Sequence, residues 1–358
     1  VTGDSMAPTL LGESAIAKCH RCDVHWYVSL LAIGRPVLCS HCGDEIELVT
    51  SSQTSESRIL QADLVDTEPL RNAQSGSEPT ELARGDLVAI EWDEHLHVKR
   101  VAALPGDVIK LDGLRLVLEG QRIEDRLVDD GQGSYLPRFL VDDDSRREIS
   151  RWTSERAGSS WRRTDGRRWE WAQSSMSPWL IYHHQSVHDH QQPSPVWDDY
   201  QINAGLDRRL FEVDRLVLGG TIRCQSATKM MVAFWSKAGD VLADLTVTDG
   251  QTLTLEYYDG KIAEGLPVAA HQPIAVRVAG GPLNIESTRL QRLVEYRLRP
   301  YDDRDRYPLH VDAGHCFVLG DNVPVSVDSR DIGLVPLASI VGRVTKRPRK
   351  RPTALDIR

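Results

Sequence analysis

The stretch RGDLVAIEWDEHLHVKRVAALPGDVIKLDGLRLVL, residues 84–118, decides the architecture. Strand-like runs Leu87 to Trp92, His97 to Ala102, Val108 to Leu111 and Leu114 to Leu118 are separated by the turn signals Pro105-Gly106-Asp107 and Asp112-Gly113. Short alternating runs broken by such turns predict an antiparallel sheet. One residue in it is chemically out of place: Lys99 lies inside an apolar, alternating run. If its side chain turns into that apolar surface, desolvation lowers its pKa from about 10.4, as a general base working near neutral pH requires. If it turns outward, Lys99-Arg100 is a solvated pair and carries no chemistry.

Two further segments, far apart along the chain, bear on that choice. Gly3-Asp4-Ser5-Met6-Ala7-Pro8-Thr9-Leu10 places a serine on a glycine-bounded turn beside apolar residues. A serine hydroxyl is a poor nucleophile unless a neighbouring base takes its proton, and by itself the segment also reads as an ordinary serine turn. Gly320-Asp321-Asn322-Val323-Pro324-Val325-Ser326-Val327-Asp328-Ser329-Arg330, taken alone, is a polar turn followed by an ion pair.

In this order, the three segments resemble the motif boxes of bacterial type I signal peptidases, the Ser–Lys dyad leader peptidases. The resemblance covers residues 1–18, 84–124 and 311–345. It implies that Ser5 is the nucleophile and Lys99 the general base, with Arg100 in the paired position behind it. Ser326 would orient the lysine amine, Asp328 and Arg330 would form a supporting ion pair, and Met6 and Val98 would line the substrate pocket. The Ser5 amide would hold the oxyanion. Gly3 stands where some relatives supply a hydroxyl as second donor, so that donor must come from elsewhere or be dispensed with. The implied activity is removal of N-terminal signal peptides from exported preproteins through an acyl-enzyme, with small residues at the last and third-last leader positions. The implied setting is the extracytoplasmic face of the cytoplasmic membrane, through an N-terminal anchor missing from this chain.

Four of the six cysteines cluster as Cys19-His20-Arg21-Cys22 and Cys39-Ser40-His41-Cys42, two CxxC pairs separated by 16 residues. This is zinc-ribbon spacing, and a four-thiolate site would be structural rather than catalytic. The chemistry of the dyad calls for no cofactor. A pair of disulfides is the competing reading in an oxidising compartment. The expected organisation is therefore mainly β: a peptidase core over 1–18, 84–124 and 311–345, a zinc-ribbon insertion over 19–49, a polar linker over 50–83, an accessory insertion over 125–310 and a basic tail over 346–358. Within the accessory insertion, alternating runs over 210–298 predict a β-sandwich, while the tryptophan-rich and arginine-rich stretch 125–200 shows no clear period. His183, His184, His188 and His190 read as a solvated loop or as metal ligands.

Across 358 residues, 43 Lys and Arg against 52 Asp and Glu give a formal charge of -9, which offers no basic field for nucleic acid. No apolar run approaches the roughly eighteen residues of a membrane span. Two other functions compete: a repressor-type self-cleaving Ser–Lys protease, which would not carry the Gly320 to Arg330 segment, and a non-catalytic zinc-ribbon and sandwich binding protein, which would not need Ser5, Lys99 and Ser326 together.

Overall fold

In the computed structural model the described residues are 3–47, 59–70, 82–127, 136–158, 161–173, 175–256 and 260–346. The tail from Arg347 onward and most of the linker lie outside them. The fold is mainly β, in several antiparallel sheets.

The runs read from residues 84–118 form two sheets. Leu87–Trp92 and His95–Ala103 make a hairpin that sets Val88 opposite Lys99. Its turn residues Asp93 and Glu94 both take positive φ, 52° and 61°, which matches the right-handed twist of the flanking strands. Beyond this hairpin the sheet extends through His315–Leu319 to Val335–Pro336 on one side. On the other it extends through Ile340–Lys346 to Asp66–Glu68. Val88, Ile90, Val101, Cys316, Val318, Val335 and Ile340 share one buried cluster, and Met6, Leu10 and Leu87 another. Val108–Asp112 and Arg115–Leu118 instead join Gln121–Arg122 and Leu309–His310 in a four-stranded sheet.

Six-stranded sheets form both halves of the accessory sandwich. One is built on the long strands Leu216–Cys224 and Leu283–Leu293, the other on Thr228–Phe234 and Ile274–Ala279. The sandwich reaches well upstream of residue 210. Arg138–Asp143, Trp152–Ser154, Trp161–Thr164, Arg168–Trp171 and Leu180–Tyr182 all supply strands, and Trp152, Trp161, Trp169 and Trp171 are buried in the shared core with Leu216, Phe234 and Val276. These tryptophans therefore pack the interior instead of facing a ligand. Several of these strands hold only three or four residues, too short for alternation to show against the flanking arginines.

A second cluster joins the insertion to the expected peptidase core: Phe139, Tyr200, Ile202, Val294, Tyr296 and Leu298 are buried with Ala7, Ala102, Phe317 and Leu319. Upstream, Ser14–Lys18 pairs with His25–Ser29 on one side and with Ile59–Leu60 on the other. Two segments within 50–83 thus take part in sheets, because each needs only two or three residues to do so.

Glu124 is buried beside Arg215 and Glu295, and burial, with the neighbouring Glu295 adding to it against the pull of Arg215, raises its pKa to about 7. A carboxyl with a raised folded-state pKa favours folding most below its unfolded value near 4.5, and that advantage is lost as pH rises through 7. Glu124→Gln is accordingly expected to raise stability at pH 8 by up to roughly 3 kcal/mol and to leave stability at pH 4 nearly unchanged. Denaturant melts of both proteins at the two pH values measure the difference.

Candidate active site

The site forms where the turn Gly3–Leu10 meets the strand His95–Ala103 and the loop before the short helix Ser329–Ile332. Ser5 is half-buried on that turn. The Ala7 amide donates to the Asp4 carbonyl and the Leu10 amide to the Met6 carbonyl, both at 3.0 Å. Gly3 opens the turn at φ +82°, a left-handed conformation that favours glycine, with open space where a side chain would point. Opposite it, a Cβ on Gly12 would stand 2.6 Å from the Gly3 carbonyl oxygen, so the chain passes back over the turn too closely for any side chain.

Lys99 is 4% exposed, and its Nζ lies 2.9 Å from Ser5 Oγ and 3.5 Å from Ser326 Oγ. Burial lowers its pKa; Asp328 offsets that effect and Arg330 reinforces it. The outward-facing reading of Lys99-Arg100 is thereby excluded. Neighbouring residues of a strand point to opposite faces, and here both faces are covered, so each side chain is buried against its own partner. Arg100 Nε and Nη2 donate to the two oxygens of Asp321 at 2.8 and 2.6 Å, and its Nη1 donates to the Gly85 carbonyl at 2.9 Å. Tyr296 Oη donates to Asp321 at 2.6 Å, and Thr9 of the Ser5 turn donates to the same carboxylate.

Asp328 and Arg330 form the ion pair expected of them, with two contacts of 2.8 Å between fully buried side chains. Burial raises the Asp328 pKa, but Arg330 and backbone donors, among them the Gly320 amide at 2.9 Å, overcome this and hold it below the usual carboxylate range. Half-buried Val98 packs against a cluster of Met6, Leu10 and Leu87; Met6, expected to line the substrate pocket, is fully buried there and presents no surface to an open pocket.

Sequence reasoning missed several members of the site. Asn322 donates its backbone amide to the Ser5 carbonyl and its side-chain amide to the Asp4 carbonyl, each at 3.0 Å. Gly320 lies against both: a Cβ there would come 1.9 Å from Ser326 Oγ and 2.6 Å from the Ser5 carbonyl oxygen. The Gly320-Asp321-Asn322 run lies in the segment that carries the resemblance, but the sequence assigned no role to Asp321 or Asn322. Asn322 reaches Asp4 across 318 positions and Asp321 reaches Arg100 across 221. The Ser5 amide itself donates to no described residue, which leaves it free for a developing oxyanion.

Ser326 Oγ sits at the far limit of a hydrogen bond to Lys99. A neutral bond of this kind contributes about 0.5–1.5 kcal/mol. Ser326→Ala is expected to slow peptide cleavage by about tenfold and to shift the pH optimum. A pH–rate profile for both proteins checks it, and superimposable profiles would remove Ser326 from contact with the base.

Away from the dyad, Cys19, Cys22, Cys39 and Cys42 converge with all four sulfurs within 4.8 Å of one another. The closest pairs, Cys19 to Cys42 and Cys22 to Cys39, stand at 3.5 and 3.6 Å, and all four are free thiols. Those separations exceed a disulfide bond of about 2.05 Å and suit thiolates sharing one tetrahedral ion with metal–sulfur distances of about 2.3 Å. Both CxxC turns fold identically: the Asp23 amide donates to the Cys19 carbonyl, as that of Gly43 does to Cys39, and both turns use positive φ. The ligand set therefore fits zinc. The histidines do not join it. Among the described residues no other cluster could hold a metal; His183 binds Thr153 and Gln272, and His188 pairs with Asp199.

A hydroxyl held at hydrogen-bonding distance from a buried amine of depressed pKa is the arrangement that activation of a serine by a lysine base requires. The family described as signal peptidase, peptidase S26, matches residues 1–168 and 269–347. With well over half of its length matched, the chain belongs to that family. No curated protein matches it.

Proposed function

We propose that the protein is a signal peptidase I, an endopeptidase that removes N-terminal signal peptides from exported preproteins. The observation carrying this reading is the 2.9 Å separation of Lys99 Nζ and Ser5 Oγ with the lysine buried. Neutral Lys99 accepts the Ser5 proton as Oγ attacks the carbonyl carbon of the last leader residue. The Ser5 amide stabilises the oxyanion, and Lys99 returns the proton to the departing amine of the mature chain. Lys99 then activates a water that attacks the ester, freeing the leader carboxylate and restoring Ser5. Half-buried Val98, next to Lys99 on its strand, would line the pocket for the small leader side chains, backed by the buried Met6 cluster against which it packs.

The substrate emerges at the extracytoplasmic face of the cytoplasmic membrane, and that is where this reading places the enzyme. No helix among the described residues is long and apolar enough to cross a membrane. Zinc in the ribbon would hold Cys19, Cys22, Cys39 and Cys42 together and takes no part in the proton transfers.

The reading is tested with a preprotein bearing alanine at the last and third-last leader positions. Mass spectrometry should find a single cut after the last leader residue. Cutting should cease when that alanine becomes a large residue such as phenylalanine. Cleavage at unrelated sites, or indifference to the substitution, would contradict the assignment.

A further inference from the structure

The residue that clamps the nucleophile turn is itself clamped from outside the catalytic part. Asn322 Nδ2 donates to the Asp4 carbonyl, which can only accept, so the orientation of the Asn322 amide group is fixed. That orientation turns its Oδ1 toward Asn203, whose Nδ2 donates to it at 2.8 Å, while Asn203 Oδ1 accepts from Asn322 Nδ2 at 2.9 Å. The two side chains form a reciprocal amide pair. Asn203 belongs to the short 3-10 turn Gln201–Asn203 of the accessory insertion, inside the stretch 169–268 that the family match leaves out.

That turn is firmly seated. Tyr200 and Ile202 are buried in the cluster that contains Ala7 of the nucleophile turn, and strand His25–Ser29 of the ribbon packs against it. Gln201 Nε2 donates at 2.9 Å to the hydroxyl of Ser40, which stands between two of the metal-site cysteines. A continuous path thus runs from the Cys39–Cys42 knuckle through Gln201, Asn203 and Asn322 to the carbonyls of Asp4 and Ser5.

We propose that Asn203, supplied by the accessory insertion, is a positioning residue for the catalytic serine, acting through Asn322, and that the cysteine knuckle braces it. The inference rests on the reading of Ser5 as nucleophile. It gives the insertion a part in catalysis that its distance in sequence conceals. Asn203 touches no reacting atom; it fixes the amide that holds the Ser5 backbone, and a displacement of about 1 Å at a nucleophile can cost on the order of a hundredfold in rate.

The test compares Asn203→Ala, Asn203→Asp and Gln201→Ala with wild type in the full chain, on one leader peptide with alanine at the last and third-last leader positions. Asn203→Ala is expected to lower kcat about tenfold with KM unchanged. Asn203→Asp keeps the acceptor for Asn322 Nδ2 but turns its other carboxylate oxygen onto Asn322 Oδ1, where two acceptors oppose each other, and should therefore recover little of the loss. Gln201→Ala should show a smaller fall of the same kind. In Asn322→Ala the further change Asn203→Ala should cost almost nothing, since the two act as one unit. Hydrogen exchange gives a readout independent of turnover: the Asn322 and Ala7 amides should exchange faster in Asn203→Ala, while those of the distant strand Thr228–Phe234 should not. Wild-type kcat in Asn203→Ala, additive effects of the pair, or unchanged exchange at Asn322 would overturn the inference. A wild type that cuts no leader peptide would instead sink the functional reading, and the exchange measurement would then decide the positioning claim alone.

Discussion

Ser5→Ala is expected to abolish leader-peptide cleavage, with a fall on the order of 10⁴-fold or more, and Lys99→Ala should do the same because nucleophile and base act as one unit. Lys99→Arg should fail equally. Its charge and length are close to those of lysine, but a guanidinium cannot give up a proton in a protein and so cannot accept the one from Ser5. The three variants should remain folded. Burial disfavours the charged form of Lys99, so at neutral pH the lysine costs the folded state free energy, and the cost disappears only as pH rises above the ordinary lysine range. Lys99→Met should therefore be at least as stable as wild type at pH 7 while inactive. In the wild type the same depression predicts a cleavage rate that rises with pH along a limb lying below that of an exposed lysine. Steady-state assays and thermal melts of the set provide the check; cleavage by any of the three at more than about one hundredth of the wild-type rate would break the dyad.

Removing the metal should act through folding rather than chemistry. The ribbon core holds few large side chains, chiefly Val24, Trp26, Val28, Val37 and Ile46, and Cys19 and Cys39 are themselves part of it. Binding of structural zinc contributes about 10 kcal/mol or more in comparable small sites, as much as burial of those few side chains at about 1.5–3 kcal/mol each, before the entropy of ordering the segment is set against them. Elemental analysis is expected to find one zinc per chain. A strong chelator, or Cys39→Ser, should release it, expose four or three thiols to titration respectively, and unfold residues 19–47, reported by exposure of Trp26, now 1% accessible. Because Gln201 leans on Ser40, a partial loss of activity should accompany release. Cysteines oxidised in pairs in the purified protein would show that disulfides hold this unit instead.

Much of the site was legible because its chemistry is carried by residue types in a fixed order. A lysine in an apolar strand, a serine on a glycine turn and the Gly320 to Arg330 segment together pointed to Ser5 and Lys99, which are 94 positions apart and 2.9 Å from each other. The cysteine spacing was equally direct, since each CxxC turn aims both its thiols locally. What could not be read was set by contacts rather than pattern. Whether Arg100 is solvated or lies behind Lys99 is decided by Asp321, which only the fold brings against it, and nothing in Asn203 or Asn322 announces that they pair. The early sandwich strands escaped for a related reason. Trp161–Thr164 and Arg168–Trp171 are four residues each, and the buried tryptophans within them alternate over a single repeat.

The dyad is tested most directly by trapping its covalent intermediate. Wild-type protein mixed with a leader peptide, quenched in acid within one turnover and digested, should yield the Gly3 to Leu10 segment heavier by the acyl group of the leader, with fragmentation placing the ester on Ser5. Lys99→Ala under the same conditions should give none. An adduct on another residue, or rapid cleavage of the peptide with no ester formed in wild type, would contradict a mechanism in which Ser5 attacks and Lys99 takes its proton.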